Sequence, residues 1–153
     1  MNLFDVDPSA GPAEFKACCA VAYESPLLTF LLGSTWRPGG TDLTSEIANA
    51  LRLEPEMRVL DVASGAGETA SLLTREFGAS VVGVDLSFAN LKTATERRGS
   101  SHAPAAEFAV GDAELLPLKN GAFDAVFCEC SFCTFPDKAA SLAELYRVTR
   151  PGG

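Results

Sequence analysis

The chain has 153 residues, 47% of them hydrophobic and 21% charged, a composition that excludes disordered and fibrous classes and suits one folded domain. Twenty acidic residues against 12 basic ones give a net charge of -8, the wrong sign for a domain that binds DNA or RNA phosphates. No apolar run reaches the roughly 18 residues of a membrane span, and acids stand where a secretory signal carries Lys or Arg. We therefore expect a cytoplasmic protein.

The five cysteines form an adjacent pair, Cys18 and Cys19, and a second group of Cys128, Cys130 and Cys133. An odd number in this arrangement is not typical of the disulfide framework of a secreted protein. Zinc coordination by the second group is conceivable, but the group lacks the paired C-x-x-C spacing of structural zinc sites. We therefore expect reduced thiols and no metal site.

The first forty residues predict helical structure interrupted by loops. Pro12 is well placed to open a helix, and a run rich in glycine and proline after residue 32 predicts a loop. The predicted helices cover residues 13–23, 27–32 and, from a cap at Thr41 or Asp42, the stretch to about Leu53. We divide the chain into an N-terminal helical cap segment, 1–40, and a main domain, 41–153.

From Met57 onward, short apolar strands alternate with amphipathic helices. The predicted strands are residues 57–62, 80–85, 107–110 and 122–128. The predicted helices are residues 67–77, a helix capped by Ser87 that runs to about Arg98 before Gly99, and one capped by Asp137 that runs to Val148. This alternation indicates an α/β fold in which helices cover both faces of a parallel sheet, and residues 151–153 then form a turn.

A glycine-containing loop follows the first predicted strand and opens the next helix. Gly65 and Gly67 let the backbone approach a ligand there, and the N–H groups at a helix start favour a negative group. Asp85 ends the second strand, where a carboxylate can accept hydrogen bonds from both hydroxyls of a ribose. The loop and the acid together predict a nucleotide-like ligand at the carboxyl ends of these strands.

Two cofactor classes fit this loop. Gly65-x-Gly67-x-x-Ala70 formally matches the dinucleotide fingerprint of NAD and FAD domains. In that fingerprint the glycines follow directly on an apolar strand, whereas here Asp61 stands at the strand end, four residues ahead of Gly65. An acid followed by alternating small residues, Ala63, Gly65 and Gly67, instead resembles motif I of the class I S-adenosylmethionine-dependent methyltransferases.

Two further stretches strengthen the resemblance. Residues 111–126 look like the third and fourth strand region of that family, and residues 142–153 look like its next helix and turn. The resemblance covers residues 57–153 and favours this family over a dinucleotide domain. It implies a Rossmann-like sheet with strand order 3-2-1-4 and S-adenosylmethionine as the cofactor.

The resemblance also assigns roles in cofactor binding. Asp61 would order the glycine loop, whose backbone would meet the methionine part of the cofactor. Asp85 would hold the ribose hydroxyls, and Leu86 would pack on the adenine face. Asp112 and the Ala113 N–H would read the adenine edge. The implied cofactor-binding residues are Asp61, Ala63, Gly65, Gly67, Asp85, Leu86, Asp112 and Ala113.

One departure from the family pattern concerns the loop itself. The first loop glycine of the family is Ala63 here, and Ser64 replaces a frequent cysteine. If position 63 takes a positive φ, alanine there costs about 1 kcal/mol or more. We expect such a cost to weaken cofactor binding without abolishing it.

The acceptor side of the site is predicted at the end of the fourth strand. Methyl transfer from a sulfonium is an in-line displacement, for which a protein supplies alignment, water exclusion and a nucleophile in the right protonation state. In the resembled family this strand end opens beside the methyl group, and an N-terminal helical segment often covers it. The residues that this places near the reaction are Glu129, Cys130, Cys133 and Tyr23, with Cys18 and Cys19.

The resemblance implies an enzyme first, a methyltransferase that acts on a small molecule, and a non-enzymatic class remains as the alternative. Converging thiols would suit a small-molecule thiol or a thiophilic metalloid such as arsenite as methyl acceptor, but the cysteine spacing is not diagnostic of arsenite methyltransferases. Any single cysteine, Cys128 above all, also fits a small buried apolar residue. The second class is a non-catalytic S-adenosylmethionine-binding remnant or regulatory module, because the family ordinarily continues with three more strands beyond the turn that ends at Gly153.

The predicted strand order has a consequence for assembly. With the order 3-2-1-4, the fourth strand is an edge although residues 125–128 read as a buried central strand. We therefore expect a homo-oligomer that covers this edge. Asp124, directly ahead of the strand, is expected to serve the structure rather than the site.

Overall fold

Four parallel strands form the centre of the computed structural model, which describes residues 11–23, 39–98 and 106–153. The strands are β1 (Arg58–Val62), β2 (Ser80–Asp85), β3 (Glu107–Val110) and β4 (Ala125–Phe127). Their spatial order is β3-β2-β1-β4, and every neighbouring pair is parallel. The α/β class and the predicted order 3-2-1-4 are confirmed.

Helices connect and flank the strands. They are α1 (Pro12–Tyr23), α2 (Gly40–Ala50), α3 (Glu68–Phe77), α4 (Phe88–Arg98) and α5 (Lys138–Val148), with a short 3₁₀ turn at Phe132–Thr134. Within the described ranges, no helix is both long and apolar enough to cross a bilayer. The predicted helix over 27–32 and the stop at Gly99 lie outside the described residues, and the division at residue 40 stays a prediction.

Each face of the sheet has its own apolar core, because successive side chains of a strand point to opposite faces. On one face, Val59 packs in a cluster with Ala48 of α2 and Leu73 of α3. On the other face, Leu60 belongs to a cluster that includes Val148 of α5. A buried residue of this size contributes roughly 1.5–3 kcal/mol, so these two clusters fix the sheet between its helices.

Two of the predicted helix caps are confirmed, and one is wrong. Ser87 Oγ accepts the Asn90 N–H at 3.0 Å, and Asp137 Oδ1 accepts the Ala140 N–H at 2.9 Å. The cap of α2 is Gly39, at φ 80° and without a side-chain bond, rather than Thr41 or Asp42. The left-handed glycine turns the chain before Thr41, so both predicted caps lie inside the helix. The helix also ends at Ala50 rather than near Leu53.

The fourth strand is shorter than predicted, beginning at Ala125 instead of residue 122. The N–H groups of Ala122 and Phe123 donate to the Val148 carbonyl, at 2.8 and 3.1 Å, instead of joining the sheet ladder. The end of α5 therefore competes with β1 for this segment. At its other end the strand stops at Phe127, close to Cys130, whose φ is 55°.

Candidate functional site at the carboxyl ends of the strands

The loop that joins β1 to α3 packs tightly at its end. Gly67 donates its N–H to the Ser64 carbonyl at 2.9 Å and has a φ of 78°. A Cβ at this position would lie 2.8 Å from Phe108 Cζ and 2.9 Å from the Cβ of Ala94. Glycine is therefore required for the start of α3 to approach β3 and α4 this closely.

Asp85 connects this loop to the end of β2. Its Oδ2 atom accepts the Gly65 N–H at 2.7 Å, and its Oδ1 atom accepts the Ser87 N–H at 2.8 Å. A Cβ built on Gly65, whose φ is 54°, would meet nothing within 4 Å, so there is room beside this part of the loop. A carboxylate can accept about four hydrogen bonds, so both backbone contacts are compatible with ribose hydroxyls on the same group. The arrangement therefore fits the adenosine part of S-adenosylmethionine.

Ala63 adopts a left-handed backbone conformation. Its φ is 56°, in the region that favours glycine. The departure from the family's glycine therefore falls at a position where a side chain is strained, by about 1 kcal/mol. Next to it, Ser64 Oγ is buried and has no hydrogen-bond partner within the described part of the chain.

Asp61 lies inside the sheet rather than at its surface. It is 2% exposed and stands in register with Gly83 of β2 and Phe127 of β4. Asp61 is the penultimate residue of β1 and comes two residues before Ala63, a position that suits a residue that orders the loop. Its predicted role stays a prediction.

The residues predicted to meet adenine differ in exposure. Leu86 is 43% exposed, as a residue that packs on a ligand would be in the free protein, and Ala113 is buried. Asp112 Oδ1 accepts the Glu114 N–H at 3.0 Å, and its Oδ2 lies 2.7 Å from Lys16 Nζ of α1. Burial would raise the pKa of Asp112, but the hydrogen bonds from Lys16 and the Glu114 N–H, together with the charge of Lys16, outweigh it and hold this pKa below its ordinary value. The lysine was not found from the sequence, where nothing marks it among the residues of α1.

Glu129, at the end of β4, is directed toward the helices around the glycine loop. Its carboxylate accepts the hydroxyl of Thr44 at 3.0 and 3.1 Å and the hydroxyl of Thr69 at 2.7 Å. Both threonines are buried, one on α2 and one in the first turn of α3. Glu129 thus joins three elements beside the loop. Thr44 and Thr69 were missed, although the position of Thr69 two residues after Gly67 was a usable signal.

The cysteines of the β4–α5 connection surround this strand end. All five cysteines of the chain are free thiols, and Cys130 and Cys133 are exposed. Burial raises the pKa of Cys128, although the hydrogen bond with Ser131 opposes the rise. Burial also raises the pKa of Cys19 on α1, with further contributions from Cys18 and Cys133.

The structure therefore brings most predicted site residues to one edge of the sheet. The loop, Asp85, Asp112 and Glu129 all follow the carboxyl ends of strands, and α1 reaches this edge through Lys16. In the described residues, no group of three or more His, Cys, Asp or Glu side chains is arranged to hold a metal ion. The side chain of Tyr23 lies outside the part of the chain that the structure describes.

Known proteins share the sequence pattern of this chain. A family model described as a methyltransferase domain matches residues 60–153. A demethylmenaquinone methyltransferase from Thermus thermophilus is 40% identical over 128 residues, which is 83% of this chain and 54% of that protein. A 2-methyl-6-phytyl-1,4-hydroquinone methyltransferase from Synechocystis is 39% identical over 101 residues, or 66% of this chain and 31% of that protein.

A solved methyltransferase structure is similar to the fold of this chain. Phosphoethanolamine N-methyltransferase 2 of Haemonchus contortus, in complex with phosphomonomethylethanolamine and S-adenosylhomocysteine, is 26% identical with a TM-score of 0.79. The superposition covers 96% of this chain and 35% of that one. The chain thus spans between about a third and about half the length of these proteins.

Proposed function

Because this chain belongs to the class I S-adenosylmethionine-dependent methyltransferases, we propose that it binds S-adenosylmethionine at the carboxyl ends of its strands and serves methyl transfer to a small molecule. One observation carries the proposal. The Asp85 carboxylate holds the Gly65 N–H at 2.7 Å beside open space, where a ribose would lie. The cofactor supplies an electrophilic methyl group on a sulfonium. The residues of the chain would align the acceptor with this group, exclude water and remove a proton.

The proposed cofactor residues divide by the part of the cofactor they meet. Asp61 and the loop positions 63, 65 and 67 serve the methionine end, where the start of α3 also favours the carboxylate. Asp85 binds the ribose, and Asp112 and Ala113 bind the adenine edge with Leu86 on its face. Asp85 and Asp112 each accept a backbone N–H, so both carboxylates are oriented before the cofactor arrives.

For the acceptor, we propose a hydroquinone-type ring. The two curated relatives named above are a demethylmenaquinone and a hydroquinone methyltransferase by name. The ring carbon would take the methyl group as the carbon–sulfur bond breaks with its electron pair left on sulfur, and a base would take a hydroxyl proton. The hydrogen on the methylated ring carbon would then leave as a proton while a proton returns to the oxygen, which restores the aromatic hydroquinone. Glu129, at the end of β4, is the proposed base, since its two threonine contacts fix the carboxylate.

A thiol or a thiophilic metalloid such as arsenite is the second candidate acceptor. The observation that favours it is that Cys130 and Cys133 are exposed free thiols on the connection that follows β4. Thiols are ligands for soft ions, and their binding releases protons. In this case Cys130 and Cys133 would meet the acceptor, and the role of Tyr23 stays a prediction from the sequence.

The non-catalytic alternative, a binding remnant or regulatory module, makes a different prediction. It retains the adenosine contacts but transfers no methyl group. Titration of S-adenosylmethionine, S-adenosylhomocysteine and NAD separates the classes first. We expect the two sulfur compounds to bind and NAD not to, and binding of NAD alone would contradict the proposal.

A transfer assay then identifies the acceptor. The chain is incubated with S-adenosylmethionine that carries a labelled methyl group and with a soluble hydroquinone, a small thiol or arsenite. We expect label on the hydroquinone, reduced by Glu129→Gln and retained by Cys133→Ser. Label on arsenite that depends on Cys133 would favour the second candidate, and binding without label on any acceptor would favour the non-catalytic module.

We also propose that copies of this chain associate through β4. In the described residues this strand pairs with β1 on one side, and the ladder continues from there to β2 and β3. An edge of this kind invites pairing with another strand. Light scattering during size-exclusion chromatography tests this, and a monodisperse monomer would contradict it.

The five free thiols further support the proposal of a reducing, cytoplasmic location.

A further inference from the structure

Lys16 of α1 contacts two acids that follow β3. Its Nζ lies 2.7 Å from Asp112 Oδ2 and 2.5 Å from Glu114 Oε2, and the lysine side chain is only 15% exposed. These contacts join residues that are 96 and 98 positions apart in the chain. A single ammonium group thus connects the N-terminal helix to the turn that carries the proposed adenine contact.

The same acids are tied to the acceptor side. Asp112 Oδ1 accepts the Glu114 N–H at 3.0 Å, which fixes the turn between them. Glu114 Oε1 accepts the Asp137 N–H at 2.8 Å, at the cap of α5. Since α5 follows the cysteine-containing connection, Lys16 is linked to both sides of the site through Glu114.

The electrostatics favour this arrangement. Two carboxylates within three residues repel each other, and the chain carries a net charge of -8. Burial would lower the pKa of Lys16, but the hydrogen bonds to Asp112 and Glu114 and the negative charges of these two acids together outweigh this and raise it. Cys19, three positions further along α1 and therefore on the same face, is also half-buried.

We propose that Lys16 is a positioning residue for cofactor binding, which holds α1 against the adenine side of the site and orients the Asp112 carboxylate. The proposal rests on the proposed function, because it takes Asp112 as an adenine contact. The bond from Lys16 to Oδ2 and the backbone bond to Oδ1 fix the rotation of this carboxylate. Loss of the ammonium group would release α1 and let Asp112 turn, so bound cofactor would leave faster.

The test compares three variants with the wild type. Lys16→Met keeps the length of the side chain and removes its charge, Lys16→Arg keeps the charge, and Lys92→Met removes an equivalent charge from an exposed position on α4. The first measurement is the affinity and dissociation rate of S-adenosylhomocysteine. The second, made without cofactor, is the alkylation rate of Cys19 by a thiol reagent, read by mass spectrometry, with the unfolding transition as a check that each variant is folded.

We expect Lys16→Met to weaken S-adenosylhomocysteine binding roughly tenfold, mainly through faster dissociation, and to speed alkylation of Cys19 by a similar factor. Lys16→Arg should largely retain both values, and Lys92→Met should match the wild type. Unchanged affinity in Lys16→Met would overturn the positioning role, whether or not alkylation changes. If the wild type does not bind S-adenosylhomocysteine, both the positioning role and the proposed function are contradicted. The alkylation rate of Cys19 reports independently whether Lys16 keeps α1 packed against the turn at Asp112.

Discussion

The two ends of the parallel sheet use aspartate in different ways. At the amino ends of the strands, Asp124 accepts the Arg58 N–H at 2.6 Å and forms an ion pair with Arg150, which ties β4 to β1 and to the turn after α5. At the carboxyl ends, Asp85 accepts two backbone N–H groups, and one of them belongs to a loop residue with open space beside it. The first aspartate fastens chain segments together, whereas the second shapes a surface that a ligand can reach.

The largest expected effect comes from Asp85→Asn. The amide cannot accept both backbone N–H groups, and it loses the charge that would hold the ribose hydroxyls. We expect the affinity for S-adenosylhomocysteine, measured by calorimetry, to fall on the order of 100-fold. Asp42→Asn on the exposed face of α2 is the matched control, and equal affinities of the two variants would contradict the role of Asp85.

Asp124→Asn should produce the opposite pattern. The substitution removes the ion pair with Arg150 and weakens the bond from the Arg58 N–H to a side chain that is only 13% exposed. We expect the free energy of unfolding in urea to fall by about 2 kcal/mol while the affinity for S-adenosylhomocysteine stays within about twofold. A loss of affinity as large as that of Asp85→Asn would break the distinction between the two ends.

Ala63→Gly should improve the carboxyl end. The φ of 56° is strained for alanine and allowed for glycine, so we expect the free energy of unfolding to rise by about 1 kcal/mol and cofactor binding to tighten. Ala66→Gly is the control in the same loop, because Ala66 is not among the residues with positive φ. There glycine should lower stability by roughly 0.5–1 kcal/mol. Stabilisation by both substitutions would argue against strain at residue 63.

The smallest expected effect concerns an ion pair that supports the carboxyl end from outside. Glu144 of α5 accepts the Leu116 N–H at 2.7 Å, and Arg147 donates to Glu144 and to the Leu116 carbonyl. The hydrogen bond from Arg147, the largest influence, holds the pKa of Glu144 below its ordinary value. A carboxylate whose pKa is lowered on folding stabilises the fold at pH values above its pKa in the unfolded chain, about 4.3. This stabilisation is lost as the pH falls through the pKa of the folded state.

We therefore expect Glu144→Gln to lower Tm by a few degrees at pH 7, with affinity for S-adenosylhomocysteine retained. The difference from the wild type should shrink as the pH falls below about 4. Thermal unfolding followed by circular dichroism across pH 3–7 checks this. A difference in Tm that is independent of pH would show that the charge of Glu144 is not the source.

Much of this edge follows from local patterns. The alternation of strands and helices predicts the sheet, and the end of the apolar run of β2 predicts that Asp85 lies at the carboxyl edge of that sheet. Both predictions succeed because strand ends and helix caps depend on neighbouring residues. The predicted start of β4 was wrong because the N–H groups of Ala122 and Phe123 donate to the Val148 carbonyl. This contact with the end of α5 is tertiary, and hydrophobic periodicity does not encode it.

The long-range polar contacts lie beyond such patterns. Thr44 meets Glu129 across 85 positions and Lys16 meets Asp112 across 96, and each pairing depends on how helices dock on the finished sheet. A threonine or lysine on a helix has no local signature that separates it from a solvated residue. These contacts therefore required the structure, although the strand ends that they reach were predicted.

Hydrogen–deuterium exchange with and without S-adenosylhomocysteine tests the contrast between the two ends most directly. We expect the ligand to slow exchange in the loop at Gly65 and Gly67, at Ser87 and in the turn at Glu114, while Arg58, Asp124 and Arg150 at the amino ends exchange as before. Protection at the amino ends, or no protection at the loop in the presence of saturating ligand, would contradict the assignment of the carboxyl ends as the cofactor site.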